Sequence, residues 1–260
     1  MTNDITPLLY DDSSGKAILT SWKESECKEG GPVSFIKLAK DAGLKKIVFI
    51  SNNFHTFVSC LKACDEVGIQ MIFGLEILMC PNSEDKTDDA IKSNHKIIVF
   101  MKNSAGYRDL IRLYSKWKTN PSNKYYDYRF DYKQLRENWT DNLKIALPFF
   151  SSFLAANTLH YNCSIIPDFP TDDITIFRET GVIHPHKMLI DRALNEFNKD
   201  GKYPEVMTKT CYYNKREDAK PWITFKSIQN RANFAAPQLE YLGSNDFCWQ
   251  SYLELTGGIK

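Results

Sequence analysis

Two pairs of side chains in this sequence have the types and spacing found in metal sites. His184 and His186 are separated by one residue, and Cys60 and Cys64 lie one helical turn apart. The histidines, however, stand where a helix is predicted to begin, with Pro185 suited to its first turn. The cysteines fall within an apolar stripe of helical spacing, which is typical of core packing. Core packing is therefore the preferred interpretation of the cysteines and a helix start that of the histidines, and a metal site is the alternative for each pair.

Other familiar catalytic patterns are missing from the sequence. It contains no glycine-rich phosphate loop, no dinucleotide fingerprint and no Ser/His/Asp arrangement. His55 and His160 lack an acidic or thiol partner at useful spacing, so we interpret each as a packed or solvent-edge histidine. These motifs alone do not predict an enzyme.

A tyrosine-rich segment could contact nucleic acid. Its five tyrosines are interleaved with Lys124, Arg129 and Lys133, and stacking of bases on aromatic rings beside cations is a common mode of single-strand binding. The tyrosines show no regular period, so packing at the edge of a loop is the preferred interpretation. They are Tyr114, Tyr125, Tyr126, Tyr128 and Tyr132.

The composition is that of an ordinary soluble protein. The 260 residues carry 33 basic and 32 acidic side chains, which leaves a net charge of +1 and no global field for nucleic acid. A protein partner is at least as well supported as weak nucleic-acid contact. The seven cysteines form no regular framework, which favours reduced thiols. Without an amino-terminal signal or a long apolar run, we expect a cytoplasmic protein with no membrane partner.

Helices and strands alternate along the chain, which predicts an α/β fold with a mainly parallel sheet. Glycines at 43 and 68 are predicted to stop the first two helices. The predicted helices cover 33–43, 54–67, 105–118, 186–198 and 217–230, and the predicted strands cover 45–50, 69–79, 96–101 and 203–208.

Four segments resemble, in order, the PHP (polymerase and histidinol phosphatase) domain that opens bacterial DNA polymerase III alpha subunits. The first runs from Phe35 to Glu76 and ends in GIQMIFGLE. The second, HKIIVFMKNSAGYRDL, is similar to the family's HLVLLAKNxxGYxNL almost residue for residue, and FDYKQLRENWTDNLKIAL and VMTKTCYYNKRED follow. The resemblance spans about residues 8–230. It implies one domain over residues 1–260, a distorted (β/α)7-type PHP barrel with a carboxy-terminal extension at 231–260.

The resemblance also implies that most metal ligands are substituted. Active PHP enzymes use histidines and carboxylates to hold two or three metal ions, which activate water and clamp a phosphoester. The positions that correspond to those ligands are here Tyr10, Asp12, Ser51, Asn52, Glu76, His95, Thr210 and Tyr212. Only Asp12, Glu76 and His95 remain as candidate metal ligands, and we expect no multinuclear cluster, no catalytic residues and no cofactor.

The family resemblance therefore favours a non-catalytic module that binds another protein in DNA replication. The partner would be a replicative polymerase or its proofreading exonuclease, and the module would serve as a scaffold or as a competitor. Such a lone, divergent domain would fit a mobile element or bacteriophage. The alternative is a manganese- or zinc-dependent phosphoesterase or 3'-5' exonuclease with a remodelled site built from Asp12, Glu76, His95 and one of the histidines at 184 and 186.

Overall fold

The computed structural model describes residues 5–160, 163–229 and 244–258. The expected carboxy-terminal extension, 231–260, lies outside the described residues at 231–243 and 259–260. Its remaining part contains a helix that the sequence did not predict. None of the helices within the described ranges has the length and apolar character needed to cross a bilayer.

Twelve strands are present in the described ranges, and five of them have only two residues each. Four of those five lie outside the main sheet. The strands are β1 Thr6–Leu9, β2 Leu19–Thr20, β3 Val33–Ser34, β4 Lys46–Ser51, β5 Gln70–Cys80, β6 His95–Met101, β7 Lys124–Tyr125, β8 Asp127–Tyr128, β9 Phe130–Asp131, β10 Leu143–Leu147, β11 Ile174–Glu179 and β12 Glu205–Cys211.

The five predicted helices are present, with ends shifted by one to three residues, among the nine helices of the described ranges. The nine are α1 Phe35–Asp41, α2 Phe57–Glu66, α3 Asp88–Lys92, α4 Ser104–Thr119, α5 Tyr132–Glu137, α6 Phe153–Leu159, α7 Lys187–Phe197, α8 Ala219–Gln229 and α9 Trp249–Thr256. The predicted stops after α1 and α2 are confirmed, since Gly43 and Gly68 have φ angles of 70° and 72°. Only glycine enters that left-handed region without steric cost.

The main sheet confirms the predicted barrel class. Its hydrogen-bonded order is β4-β1-β12-β11-β10-β6-β5-β9, and β4 also pairs with β5, so the pairing of seven strands closes on itself. β1 is parallel to β12 and to β4, and β10 is parallel to β11. Closure leaves none of these seven strands with an unpaired edge.

One strand departs from the all-parallel barrel that the family resemblance implied. β6 is antiparallel to both of its neighbours, β5 and β10. Between β5 and β6 the only helix is the short α3, and the register pairs Met79 with His95 at the near end of the two strands. The chain therefore returns directly, as in a hairpin, and not through a helical crossover.

The chain divides into two compact units. The first comprises Met1–Phe73, Glu179–Pro185 and Met207–Lys260, and the second comprises Gly74–Arg178 and His186–Val206. In the first, the core contains Phe35, Phe49 and Phe73, whose rings contact one another in sequence. In the second, it contains the inner residues of β5, β6 and β10. The single-domain boundary of 1–260 stays a prediction.

Gly106 offers a test of the packing of α4. A methyl group built there would lie 2.6 Å from the Asn142 carbonyl oxygen and 3.1 Å from Met101 Cβ. We therefore expect Gly106→Ala to lower the free energy of unfolding by about 1–3 kcal/mol, although alanine favours a helix more than glycine does. Urea denaturation measures the change.

Ser115→Ala is the matched control, since Ser115 is exposed on the same helix. We expect this substitution to change the free energy of unfolding by less than about 0.5 kcal/mol. Equal stability of Gly106→Ala and the unsubstituted protein would show that α4 does not approach the Asn142 carbonyl as described.

Candidate functional site

The turn after β1 contains a completely buried carboxylate, which belongs to Asp11. Its Oδ1 accepts hydrogen bonds from Ser13 Oγ at 2.9 Å and from the Ser14 backbone N–H at 3.2 Å. Its Oδ2 accepts from Ser21 Oγ at 3.1 Å and from Thr56 Oγ1 at 2.6 Å. Four donors thus surround a carboxylate that has no access to water.

The sequence analysis singled out Asp12, whereas the completely buried carboxylate of this turn belongs to Asp11. Asp12 lies half-buried in the turn Asp12–Ser14, where burial, followed by the neighbouring Asp11, raises the pKa of its carboxyl group. Sequence reasoning missed Asp11. The signal was present, because an aspartate three residues before Ser14 can cap the start of a helical turn by accepting from the Ser14 backbone N–H, as Asp11 does here.

The positions after β4 that the sequence matched to metal ligands make neutral hydrogen bonds. Asn52 Nδ2 donates to the Ser14 carbonyl at 3.2 Å, and Asn53 Nδ2 donates to the Ser13 carbonyl at 3.2 Å. Asn53 Nδ2 also lies 2.8 Å from Asn52 Oδ1, and the Asn53 backbone N–H reaches Ser51 Oγ. The amides therefore connect the end of β4 to the turn after β1.

Tyr10 and Tyr212 belong to a buried aromatic cluster. Their ring centroids are 5.2 Å apart, and Tyr212 stacks on Trp222 of α8 at 5.1 Å with nearly parallel planes. Only 4% of Tyr10 and 8% of Tyr212 is exposed. Trp222 Nε1 donates to the Lys16 carbonyl at 2.7 Å, which fixes the ring that covers Tyr212. Phenol rings packed in this way contribute hydrophobic contact and no metal donor.

Thr210, another ligand-equivalent position, pairs with a buried carboxylate that sequence reasoning did not find. Its backbone N–H and Oγ1 donate to Glu179 at 2.9 and 2.6 Å, and Glu179 is 1% exposed. The adjacent Lys209 is fully buried and donates from Nζ to the Gly181 carbonyl at 3.0 Å. Burial lowers the pKa of Lys209, and the Glu179 carboxylate opposes that shift. No local pattern distinguishes these two charges from exposed ones.

The second unit contains the remaining two positions, Glu76 and His95. Glu76 is 4% exposed and lies 3.3 Å from Lys96 Nζ. Both ring nitrogens of His95 are engaged, with Nδ1 at 2.9 Å from the Ser93 carbonyl and Nε2 at 2.6 Å from the Tyr132 hydroxyl. Because a carbonyl only accepts, Nδ1 carries the proton and Nε2 accepts from Tyr132. Burial lowers the pKa of His95 to about 4, so the ring is neutral at physiological pH.

These donor sets do not fit the multinuclear metal cluster that the resemblance implies. In the first unit, the six positions offer one carboxylate, on Asp12, among phenols, hydroxyls and amides, which bind transition metals poorly. In the second unit, the lone pair of His95 Nε2 already accepts a hydrogen bond. Across the ranges that the structure describes, no three His, Cys, Asp or Glu side chains form a group that could hold a metal ion.

The other two candidate metal pairs have different outcomes. Cys60 and Cys64 are completely buried in α2, which confirms core packing. A hydrogen bond to Cys64, together with burial, raises the pKa of Cys60. His184 is buried, whereas His186 is the residue before the first turn of α7, which confirms the predicted helix start. Of the five tyrosines, Tyr132 is buried, and Tyr126 is the one with most of its surface exposed, at 73%.

Comparison with known proteins identifies the family. The PHP domain family model matches residues 29–209. No curated protein matches the chain. A crystal structure of a proposed metal-dependent phosphoesterase from Bifidobacterium adolescentis aligns with 10% sequence identity over 96% of this chain and 95% of its own, with a TM-score of 0.24. That score is too low to support an inference about fold or activity.

The protonation of His95 offers a test of this site. Its pKa is lowered to about 4 in the folded protein, below the ordinary value of 6.5, so the unfolded chain binds more protons between these values. Stability should therefore rise with pH across that window and level off above it. The His95 contribution to the slope should be at most roughly 1.4 kcal/mol per pH unit.

Urea denaturation of the unsubstituted protein and of His95→Gln, at several pH values from 4 to 7, measures this contribution. The variant should lose stability overall but show the shallower pH dependence. NMR titration of the imidazole signal that disappears in His95→Gln gives the pKa directly. A His95 signal that titrates near 6.5 would contradict the buried, neutral ring.

Proposed function

The chain belongs to the PHP domain family, and on that premise we propose that it is a non-catalytic member that acts in DNA replication by binding another protein. The observation that carries the proposal is the bonding of the ligand-equivalent side chains in the first unit. Tyr10 and Tyr212 are packed against aromatic rings, and Asn52 and Thr210 are hydrogen-bonded to other protein groups. A hydrolytic PHP site needs these positions to offer charged or imidazole donors to metal ions.

Burial makes this bonding costly to rearrange. A cation that entered the first unit would have to replace the hydrogen bonds of Asp11, whose donors include Ser21 and Thr56. Each buried donor left without an acceptor costs about 1–3 kcal/mol. Protein donors already bond to both oxygens of the Asp11 carboxylate, which supports a structural role for these residues.

The assignment to replication is supported by the polymerase-like segments. The best of them, HKIIVFMKNSAGYRDL, forms β6 and the first half of α4, and its glycine is Gly106, which contacts the Asn142 carbonyl. The residues of this segment that resemble DNA polymerase III alpha include exposed positions as well as buried ones, so the resemblance is not limited to the core. We infer that the partner is a replicative polymerase or its proofreading exonuclease, with the chain serving as a scaffold or as a competitor.

Metal content separates this proposal from the enzymatic alternative. We expect the purified protein to contain substoichiometric manganese and zinc, and to show no hydrolysis of single-stranded DNA or of a chromogenic phosphodiester with either metal added. Elemental analysis and nuclease assays measure both properties. Stoichiometric metal, together with hydrolysis that Glu76→Ala abolishes and Glu137→Ala preserves, would establish the phosphoesterase instead. Glu137 is an exposed glutamate at the end of α5 and serves as the matched control.

Primer extension tests the binding role. The assay uses the replicative polymerase and proofreading exonuclease of the organism that expresses the chain, with the chain added in equimolar amount. We expect co-elution with one of the two proteins in size-exclusion chromatography, and a change in extension or in proofreading rate. An increase indicates a scaffold and a decrease indicates a competitor. Separate elution from both proteins, with unchanged rates, would contradict the proposal.

A further inference from the structure

We propose that the hairpin Lys124–Tyr128 and the exposed face of α4 form a binding surface for single-stranded nucleic acid. Both elements belong to the second unit and pack on each other directly. Trp117 Nε1 of α4 donates to the Tyr128 carbonyl at 2.9 Å, and Asn123 Nδ2 donates to the Trp117 carbonyl at 2.9 Å. The end of the helix and the hairpin therefore form one continuous surface.

The exposed face of α4 carries a stripe of positive charge. Arg108, Arg112 and Lys116 follow one another at four-residue spacing and are all exposed. Arg112 lies 3.6 Å from Asp109, whereas Arg108 and Lys116 have no ion pair with any residue in the described ranges. Like charges at this spacing destabilise a helix, so the stripe has no benefit for folding. An anionic partner would offset the repulsion between these positive charges.

Cations and aromatic rings alternate where the stripe meets the hairpin. Lys118 Nζ lies 3.7 Å from the centroid of the Trp117 ring and 5.1 Å from that of Tyr128. Lys124 Nζ lies 4.8 Å from the centroid of the same Tyr128 ring. Burial lowers the pKa of Lys118 to about 8; Asp127 opposes this shift and Lys124 adds to it. The cluster thus contains more positive charge than its own acidic residue compensates.

Tyr126 occupies the tip of the hairpin in a strained conformation. Its φ angle is 56°, and it is the one non-glycine residue with positive φ in the described part of the chain. An aromatic residue in this region is unfavourable, and such strain is typical of positions selected for a purpose other than folding. With 73% of its surface exposed and its ring 4.8 Å from that of Tyr125, Tyr126 presents an aromatic face to solvent.

Single-stranded nucleic acid fits both features of the surface. Unpaired bases stack on exposed aromatic rings, and phosphates interact with lysine and arginine beside them. An acidic peptide would use the cations but not the exposed ring, and duplex DNA has no unstacked base to offer. Two carboxylates lie at the hairpin, Asp127 and Asp88, which accepts from the Tyr125 hydroxyl at 3.2 Å. The lysines and arginines of the stripe and of the cluster outnumber them. The net charge of +1 means that binding depends on this local surface and not on the whole protein.

Fluorescence anisotropy with labelled oligonucleotides of about 20 nucleotides tests the proposal at low salt, where phosphate contacts are strongest. The full chain should bind single-stranded DNA or RNA more tightly than the duplex of equal length and more tightly than an oligoglutamate peptide. We expect Tyr126→Gly to weaken binding at least about fivefold through the loss of one stacked base. Because glycine relieves the positive φ, this variant should keep its thermal stability, and Tyr126→Trp should keep its affinity.

The charge stripe is tested by Arg108→Gln combined with Lys116→Gln. This variant should reduce the slope of log affinity against log salt by about 1.4, since each phosphate contact to a single strand contributes about 0.7. The matched control is Lys62→Gln combined with Arg192→Gln, which removes the same charges from exposed positions of α2 and α7. An unchanged slope in the stripe variant, unchanged affinity in Tyr126→Gly, or equal binding of the duplex or the acidic peptide would overturn the proposal.

Discussion

A carboxylate enclosed without water must be surrounded by hydrogen-bond donors, and this constraint organises the first unit around Asp11. Its donors come from the turn after β1, from Ser21 and from Thr56, the residue before the first turn of α2. The same turn provides the backbone carbonyls to which Asn52 and Asn53 donate. The buried Asp11 carboxylate therefore fixes the turn after β1, and the carbonyls of that turn position the end of β4. The protein groups satisfy this charge by themselves.

The ligand-equivalent positions illustrate how a metal-binding fold can be stabilised by other means. Metal ions join separate strands by attracting several anionic or imidazole donors to one point. In the first unit the contacting rings of Tyr10, Tyr212 and Trp222 join the end of β1, the end of β12 and α8 by hydrophobic contact instead. Thr210 bound to Glu179 connects β12 to β11 in a similar way. Under the proposed loss of the metal ligands, these contacts would keep the strand ends of the first unit together.

The buried and the exposed polar residues of the second unit differ in whether they have partners. In the second unit, His95 is neutral and bonded to Tyr132, and the charge of Glu76 is paired with that of Lys96. Arg108 and Lys116 of α4 are exposed and have, in contrast, no ion pair with any described residue, and Tyr126 is exposed at positive φ. The proposed binding of a protein partner and of a single strand would use exterior surfaces of this kind.

The sequence by itself determined the five predicted helices, the four predicted strands and the glycine stops after α1 and α2, because these features depend on neighbouring residues. The substitution of the metal-ligand positions stays a prediction. The tertiary structure decided that Asp11 is enclosed and Asp12 is not, since the bond from Thr56 spans 45 residues. It also revealed the buried pair of Thr210 and Glu179, which are 31 residues apart. The antiparallel direction of β6 was equally hidden, because a periodic apolar strand looks the same in either direction. Burial and partnership arise between distant residues, and only the folded chain brings these residues together.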